Sequence, residues 1–341
     1  MSGSGKKLRL GDMAEALGLS TSTVSLALRD SPLIAEATKA RVKAHAEEAG
    51  YIYNRSAASL RTAKSDLIGV AVHDIMNPYF AEVFSGLEEE LVASGKTVLI
   101  CNHRDLVGRQ RQFVDSLLQH RVDGLIICAA VGTKAEEINR IHRQGVPVTL
   151  VCRDVPGAQV PCVRGDDYSG AYDVTSHLIR QGHRHIAMIG GRQASSAGRD
   201  RYLGWRTAME DAGLNLDEQM VVPELMSRSE GQQVVPELLA FEPRPTAVMC
   251  FNDLLAMSIM TAVRRLGVEP GVGLAICGYD DTEGAANRTP ALTTVSNGAV
   301  QIGEQAALQM LRALKGQQVP PAITLISPQV RLRESTPPPK R

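Results

Sequence analysis

Near the start of the chain, apolar residues recur with the period of an α-helix. Leu10, Met13, Ala14 and Leu17 fall at i, i+3, i+4 and i+7 and form one buried face. Gly18 ends that run, Leu19 can plug the corner, and Ser20 is placed to cap a second helix. On that helix Val24, Ala27 and Leu28 share one side, whereas Ser22, Leu26 and Arg29 point the other way. Asp30-Ser31-Pro32 breaks it, and a third helix is expected from about Glu36 to Ala49, stopped by Gly50. Two short helices joined by a tight Gly-containing turn read as a helix-turn-helix whose second helix enters the DNA major groove. The commoner reading of such a pair is a plain helical hairpin that opens a globular domain.

Tyr51-Ile52-Tyr53 leads into Asn54-Arg55-Ser56-Ala57-Ala58-Ser59-Leu60-Arg61, a capping residue followed by helix formers. So short a helix is marginal alone in water, so it is expected to form only against DNA or a partner chain. A plain linker is the alternative. Leu60 is a lone large apolar residue between Ser59 and Arg61.

From Asp66 the period changes. Strand-like runs are Leu67–Val72, Thr97–Cys101, Gly124–Cys128, Val148–Val151, His185–Ile189, Ala247–Cys250 and Leu274–Cys277. Helical stretches lie between them at Tyr79–Ser94, Gly108–His120, Ala135–Gln144, Tyr168–Gln181, Arg201–Ala212, Gly231–Leu239 and Leu254–Leu266. Continuous apolar strands alternating with helices predict an α/β fold with parallel sheets covered on both faces, arranged as two doubly wound lobes. Ligands in such folds bind beside the carboxyl ends of the strands, here in the cleft between lobes. Thr336–Arg341 is polar and Pro-rich and is expected to be a disordered tail.

At 341 residues the chain suits two or three domains, and 44% hydrophobic with 22% charged residues is ordinary for a globular protein. The net charge is zero, but residues 1–65 hold ten Lys and Arg against six Asp and Glu. A basic head on an acidic body fits a nucleic-acid module attached to something else. Met1–Lys7 has no apolar run behind it, so no secretory signal is expected, and no run approaches the roughly 18 apolar residues of a membrane span. The six cysteines are scattered without a CxxC, five of them in or beside apolar strands, which fits a reducing cytoplasm and no membrane partner.

Catalytic patterns are weak. Ser94-Gly95-Lys96-Thr97 imitates the end of a phosphate loop, but Glu90 stands where the first Gly is required and the segment runs from helix to strand. His183-Arg184-His185 lacks a third metal ligand nearby, and no G-x-S-x-G elbow exists. Asp280-Asp281 follows a strand toward the cleft, where carboxylates accept hydrogen bonds from sugar hydroxyls. No enzyme activity, cofactor or metal is expected.

These elements resemble the LacI/GalR (lactose-repressor/galactose-repressor) family over nearly the full length. The matching stretches are Ala14-Glu15-Ala16 to Leu28, then Asn54-Arg55 with Ala57 to Leu60, then Asn77-Pro78-Tyr79-Phe80 and Val122-Asp123-Gly124-Leu125-Ile126. Further on come Gly182-His183-Arg184-His185-Ile186-Ala187, Asn252-Asp253, Gly278-Tyr279-Asp280-Asp281 and Pro290-Ala291-Leu292-Thr293-Thr294-Val295. Within the family, Ser20–Leu26 and Gly190–Ser196 look most like the maltose-regulon repressors of enteric bacteria.

The resemblance implies a helix-turn-helix headpiece at residues 1–53, a hinge helix and linker at 54–65, and a type I periplasmic-binding-protein-like domain at 66–335. Lobe one would take about 66–164 and 297–327, lobe two about 165–296 and 328–335, and 336–341 would be tail. It implies a homodimer on a pseudo-palindromic DNA operator, controlled by a small-molecule effector such as a sugar, sugar acid or sugar phosphate. Thr21, Ser22 and Leu26 would meet base edges, Thr23, Ser25, Tyr51, Asn54 and Arg55 phosphates, and Ala57 and Leu60 the minor groove at the hinge. Leu26 stands where the family commonly has Arg or a polar residue, so a thymine methyl replaces a guanine as its natural contact. Asp74, Tyr79, Phe80, Arg153, Arg199, Asn252 and Asp280 would bind the effector, with Arg199 as the clamp. Cys152 replaces a common acidic residue, and an aromatic expected around Asn297–Ala299 is missing. A corepressor-dependent regulator of non-sugar metabolism, a solute-binding protein of similar fold and an enzyme remain the competing readings.

Overall fold

The computed structural model describes residues 8–52 and 65–339. The chain divides into two compact units, Met1–Ser65 and Asp66–Arg341. Asn54, Arg55, Ala57 and Leu60, the expected hinge residues, lie outside the described residues.

The first unit holds α1 (Leu10–Leu17), α2 (Thr21–Leu28) and α3 (Glu36–Glu48). Their apolar faces meet in one core of Met13, Ala14, Leu17, Val24, Ala27, Val42 and Ala46, with Leu10, Leu19, Leu28 and Tyr51 packed at its rim. Gly18 ends α1 in the left-handed region at φ 63°, which glycine adopts without strain. The turn is tight because Ser20 immediately caps α2, its hydroxyl accepting from Thr23 N at 3.0 Å. The Arg41 guanidinium donates to the Leu17 carbonyl and so ties α3 to the end of α1.

The second unit contains a six-stranded parallel sheet built from β1 (Leu67–Val72), β2 (Thr97–Asn102), β3 (Gly124–Ile127), β4 (Val148–Val151), β5 (Cys162–Gly165) and β11 (Ile323–Ile326). Its order is β11-β5-β4-β3-β1-β2. A four-stranded parallel sheet has β7 (Val221–Val222), β6 (Ile186–Ile189), β8 (Ala247–Cys250) and β9 (Ala275–Cys277) in that order, and β10 (Thr294–Ser296) pairs antiparallel with β12 (Gln329–Arg331). Helices α4 (Pro78–Ala93), α5 (Val107–Gln119) and α6 (Ala135–Arg143) serve the first lobe. The second lobe has α7 (Asp167–Arg180), α8 (Ser196–Asp211), α9 (Arg228–Gln233), α10 (Val235–Ala240), α11 (Asp253–Arg265) and α12 (Glu283–Ala286). The chain then returns through α13 (Ala299–Leu314), which packs on α4 over the first sheet.

Alternating burial gives each sheet two cores. Ile68, Val70, Val72 and Ile126 face α4 and α13, while Ala71, Leu125, Ile127 and Leu150 face α5 and α6. Close helix contact between α4 and α13 requires glycine. A Cβ on Gly86 would fall against the Val300 carbonyl oxygen, and one on Gly303 against that of Val83.

One expectation changes here. Thr336 is not in a disordered tail. It is 4% exposed, its hydroxyl meeting His177 Nε2 at 3.0 Å and the Thr293 hydroxyl at 2.8 Å. His183 Nε2 also bonds the Pro337 carbonyl at 3.0 Å. A polar segment stays ordered when buried partners satisfy it. Lys96 of the phosphate-loop look-alike is structural, bridging Asp66 at 2.8 Å and Asp123 at 3.1 Å.

Candidate functional site: an inter-lobe cleft and a DNA-reading helix

On α2, Thr21 and Ser22 are exposed and Leu26 is half-buried, which leaves these three on the side away from the core. Thr23 is half-buried, and its hydroxyl lies 2.8 Å from that of the capping Ser20. Ser25, expected at a phosphate, lies among the buried residues of α2. It is 6% exposed, because its place beside Val24 turns it toward the packed side of the helix. Tyr51 packs at the rim of the headpiece core.

In the second unit the carboxyl ends of β1, β2 and β4 face the start of α8 and the ends of β8 and β9. Between them lies a cavity of about 320 Å³. That is within the range of small-ligand sites, roughly 300–1,000 Å³. Asp74, Tyr79, Phe80, Arg153, Asn252 and Asp280 all line it.

Arg199 does not. Its side chain is 44% exposed and pairs with the adjacent Asp200 at 2.9 Å. Arg201 lines the cavity instead, with a side chain 5% exposed. Both arginines of the Arg199-Asp200-Arg201 motif lie inside α8, which starts at Ser196. In a helix, two residues are about 200° apart, so one of this pair faces solvent when the other faces inward.

Arg201 is held on every side. Its Nε donates to Asp167 Oδ1 at 2.8 Å, Nη1 donates to the Phe251 carbonyl, and Asp280 Oδ1 lies 3.6 Å away. The guanidinium stacks over Tyr279 at 3.6 Å and near Phe251 at 4.5 Å. Burial pushes the Asp280 carboxyl up to about 8, and Arg201 offsets this only in part because Asp167 takes its shorter contact. Asn77 Nδ2, from the first lobe, reaches Asp280 Oδ2 at 3.3 Å.

A second ionic cluster centres on Asp105. Its Oδ1 accepts from Arg153 Nη1 at 2.9 Å and from Val131 N at 2.9 Å, while Oδ2 meets Arg192 Nη1 across the cleft at 3.2 Å. Arg153 Nη2 also meets His73 Nε2 at 3.2 Å. Burial, and then the nearby Arg153, holds the His73 imidazole well below its ordinary pKa. Cys152, where the family commonly has an acid, receives the Tyr79 hydroxyl at 3.5 Å, and Asn297 Nδ2 donates to that hydroxyl at 3.4 Å. Asn297 thus supplies the wall left without an aromatic.

Sequence reading missed Arg201, Asn77, Arg104, Asp105, Arg192 and Asn297. Arg104 and Asp105 follow the carboxyl end of β2, and that position was the available signal. Among the described residues no group of three or more His, Cys, Asp or Glu is arranged to hold a metal ion.

Residues 9–54 match the model of bacterial regulatory proteins of the lacI family, and residues 65–333 match that of periplasmic binding proteins and the sugar binding domain of the LacI family. The chain belongs to the LacI family. It is a DNA-binding transcriptional repressor with an effector-binding domain, not an enzyme.

Among relatives of this LacI-family chain, the repressor PurR of Pectobacterium carotovorum is 32% identical over 88% of both chains. The regulator DegA of Bacillus subtilis is 29% identical over 97% of this chain and 99% of its own. The lac repressor dimer bound to operator and the anti-inducer ONPF superposes with a TM-score of 0.84 at 26% identity, covering 97% of this chain and 100% of that one. The CelR–cellobiose complex gives 0.73 at 26% identity, covering 96% and 99%. A ribose-bound regulator from Enterococcus faecium gives 0.72 at 27% identity, covering 80% and 100%.

Proposed function

We propose that this LacI-family chain represses a carbohydrate-catabolic operon from the cytoplasm, as a homodimer on a pseudo-palindromic operator, under control of a sugar or sugar derivative. The observation that carries the reading is the cleft. Asn77, Arg201, Asn252 and Asp280 offer hydrogen bonds beside the aromatic rings of Tyr79, Phe80 and Phe251, in a cavity of about 320 Å³. Rings for the apolar face of a pyranose and polar groups for its hydroxyls suit a sugar. Ribose and cellobiose in related solved structures support the same class.

The effector acts by tying the lobes together. Asn77–Asp280 and Asp105–Arg192 already cross the cleft, so a ligand that joins or displaces those groups shifts the lobe angle. Thr21, Ser22 and Leu26 read bases, Thr23, Tyr51, Asn54 and Arg55 meet phosphates, and Ala57 and Leu60 enter the minor groove. A homodimer is supported by apolar surface on edge strand β2 and the end of α4, where Leu99, Ile100 and Val92 are 39%, 48% and 51% exposed.

A second reading, a corepressor-dependent regulator of non-sugar metabolism, is favoured by the relatives named PurR and DegA, whose names carry no sugar. A thermal-shift panel separates the two. Sugars or their acids and phosphates raise the melting temperature under the first reading. A rise with nucleobases or amino acids alone supports the second.

A further inference from the structure

Two guanidinium groups at one end of the cleft are unsaturated. Arg104 lines the cavity, is exposed, and makes no ion pair among the described residues. Arg192 faces it from the other lobe. Its Nη1 meets Asp105 Oδ2 at 3.2 Å, but its buried Nε–H has no hydrogen-bond partner, the nearest carboxylate being Glu224 at 3.9 Å. Asp105 must also serve Arg153 at 2.9 Å, so one carboxylate answers two guanidinium groups beside a third.

The rest of the lining does not restore balance. Asp167 is committed to Arg201 at 2.8 Å, and burial keeps Asp280 largely protonated at neutral pH, with its pKa up to about 8. His73 is neutral, and Asp74, whose Oδ1 accepts from Met76 N at 3.0 Å, adds a third carboxylate to Asp105 and Asp167 against the four arginines Arg104, Arg153, Arg192 and Arg201. The amino-terminal ends of α4, α8 and α11 also border the cavity through Tyr79, Ala197 and Asn252, adding the positive ends of three helix dipoles. Arg104 and Asp105 both sit in the left-handed region, at φ 52° and 58°, a conformation that side chains with a Cβ adopt at a cost.

We propose that the effector is acidic, a small molecule whose carboxylate or phosphate sits between Arg104 of the first lobe and Arg192 of the second. This deepens the effector-controlled reading and rests on it. The neutral part of the ligand lies toward Tyr79, Phe251 and Asn252, and its anion supplies the missing counter-charge. The anion also joins the two lobes beside the Asp105–Arg192 contact, so charge recognition and lobe closure become one event.

The test is a thermal-shift titration of the full chain with sodium phosphate and with sodium acetate, each against sodium chloride at equal ionic strength. Phosphate is expected to raise the melting temperature in the millimolar range. A response to phosphate alone assigns a phosphate effector, and a response to acetate as well extends the site to carboxylates. R104Q weakens the apparent affinity by about tenfold or more, equivalent to roughly 1.4 kcal/mol, while R206Q on the solvent face of α8 leaves it as in the wild type. A wild-type response no larger than that to chloride, or one retained in R104Q, overturns the proposal. Operator binding measured on the same samples keeps the two readings apart. Its loss would remove the repressor function and leave the anion site standing.

Discussion

Arg201 donates through Nε to Asp167 at 2.8 Å with side chains 5% and 2% exposed, while Arg199, two positions earlier on the same helix, is 44% exposed. Removing one member of a buried ion pair strands the other, at a cost of about 3–5 kcal/mol. R201A is therefore expected to lower the urea midpoint by that order and abolish effector binding. R199A stays within about 0.5 kcal/mol of wild type. Comparable losses in both variants would return the clamp to Arg199.

Asp280 and Asp253 make stability depend on pH. Burial raises them to about 8 and about 6 from an ordinary 3.8. A carboxyl raised on folding contributes stability that is fully present below its unfolded pKa and is lost as pH rises through its folded pKa. Denaturation midpoints should therefore fall between pH 6 and 8 through Asp280, a range framed by the two values. D280N, which cannot ionise, flattens that limb. An unchanged slope in D280N would show that the carboxyl ionises normally.

Gly303 and Gly86 let α13 and α4 approach backbone to backbone. G303A would press a methyl group on the Val83 carbonyl, and overpacking of this kind costs about 1–3 kcal/mol. A thermal melt no lower than wild type would mean the helices separate freely.

Leu26 faces away from the headpiece core. A leucine has no donor for guanine but packs on a thymine methyl, so the footprinted half-site should carry thymine at its contact. Changing that base should weaken binding by about 1–3 kcal/mol. Guanine there with no thymine nearby contradicts the assignment.

The strand–helix alternation was legible because buried parallel strands read as apolar runs. Leu67–Val72 and Ala247–Cys250 needed no further context. Cys162–Gly165 and Ile323–Ile326 were not, the first because it contains Arg164, the second because it is an edge strand whose apolar Ile323 and Leu325 are exposed. Ala299–Leu314 escaped because Gly298 and Gly303 look like breakers, although the first only begins the helix and the second lets it dock. The cleft was half legible. Motif residues such as Asn252 and Asp280 mark it, but the motif holds two arginines two positions apart, and only the packing of α8 shows that Arg201 is the inward one. Asp105–Arg192 joins residues from different lobes, and no local pattern encodes that pairing.

The most direct test is fluorescence anisotropy of the full chain on its own upstream pseudo-palindrome at about 0.1 M salt, with and without ligands that raise its melting temperature. Saturable binding by a dimer is expected, with affinity shifted about 5- to 150-fold by such a ligand, the usual range of allosteric coupling. No binding in either condition, or binding indifferent to every ligand that occupies the cleft, would contradict the effector-controlled repressor described here.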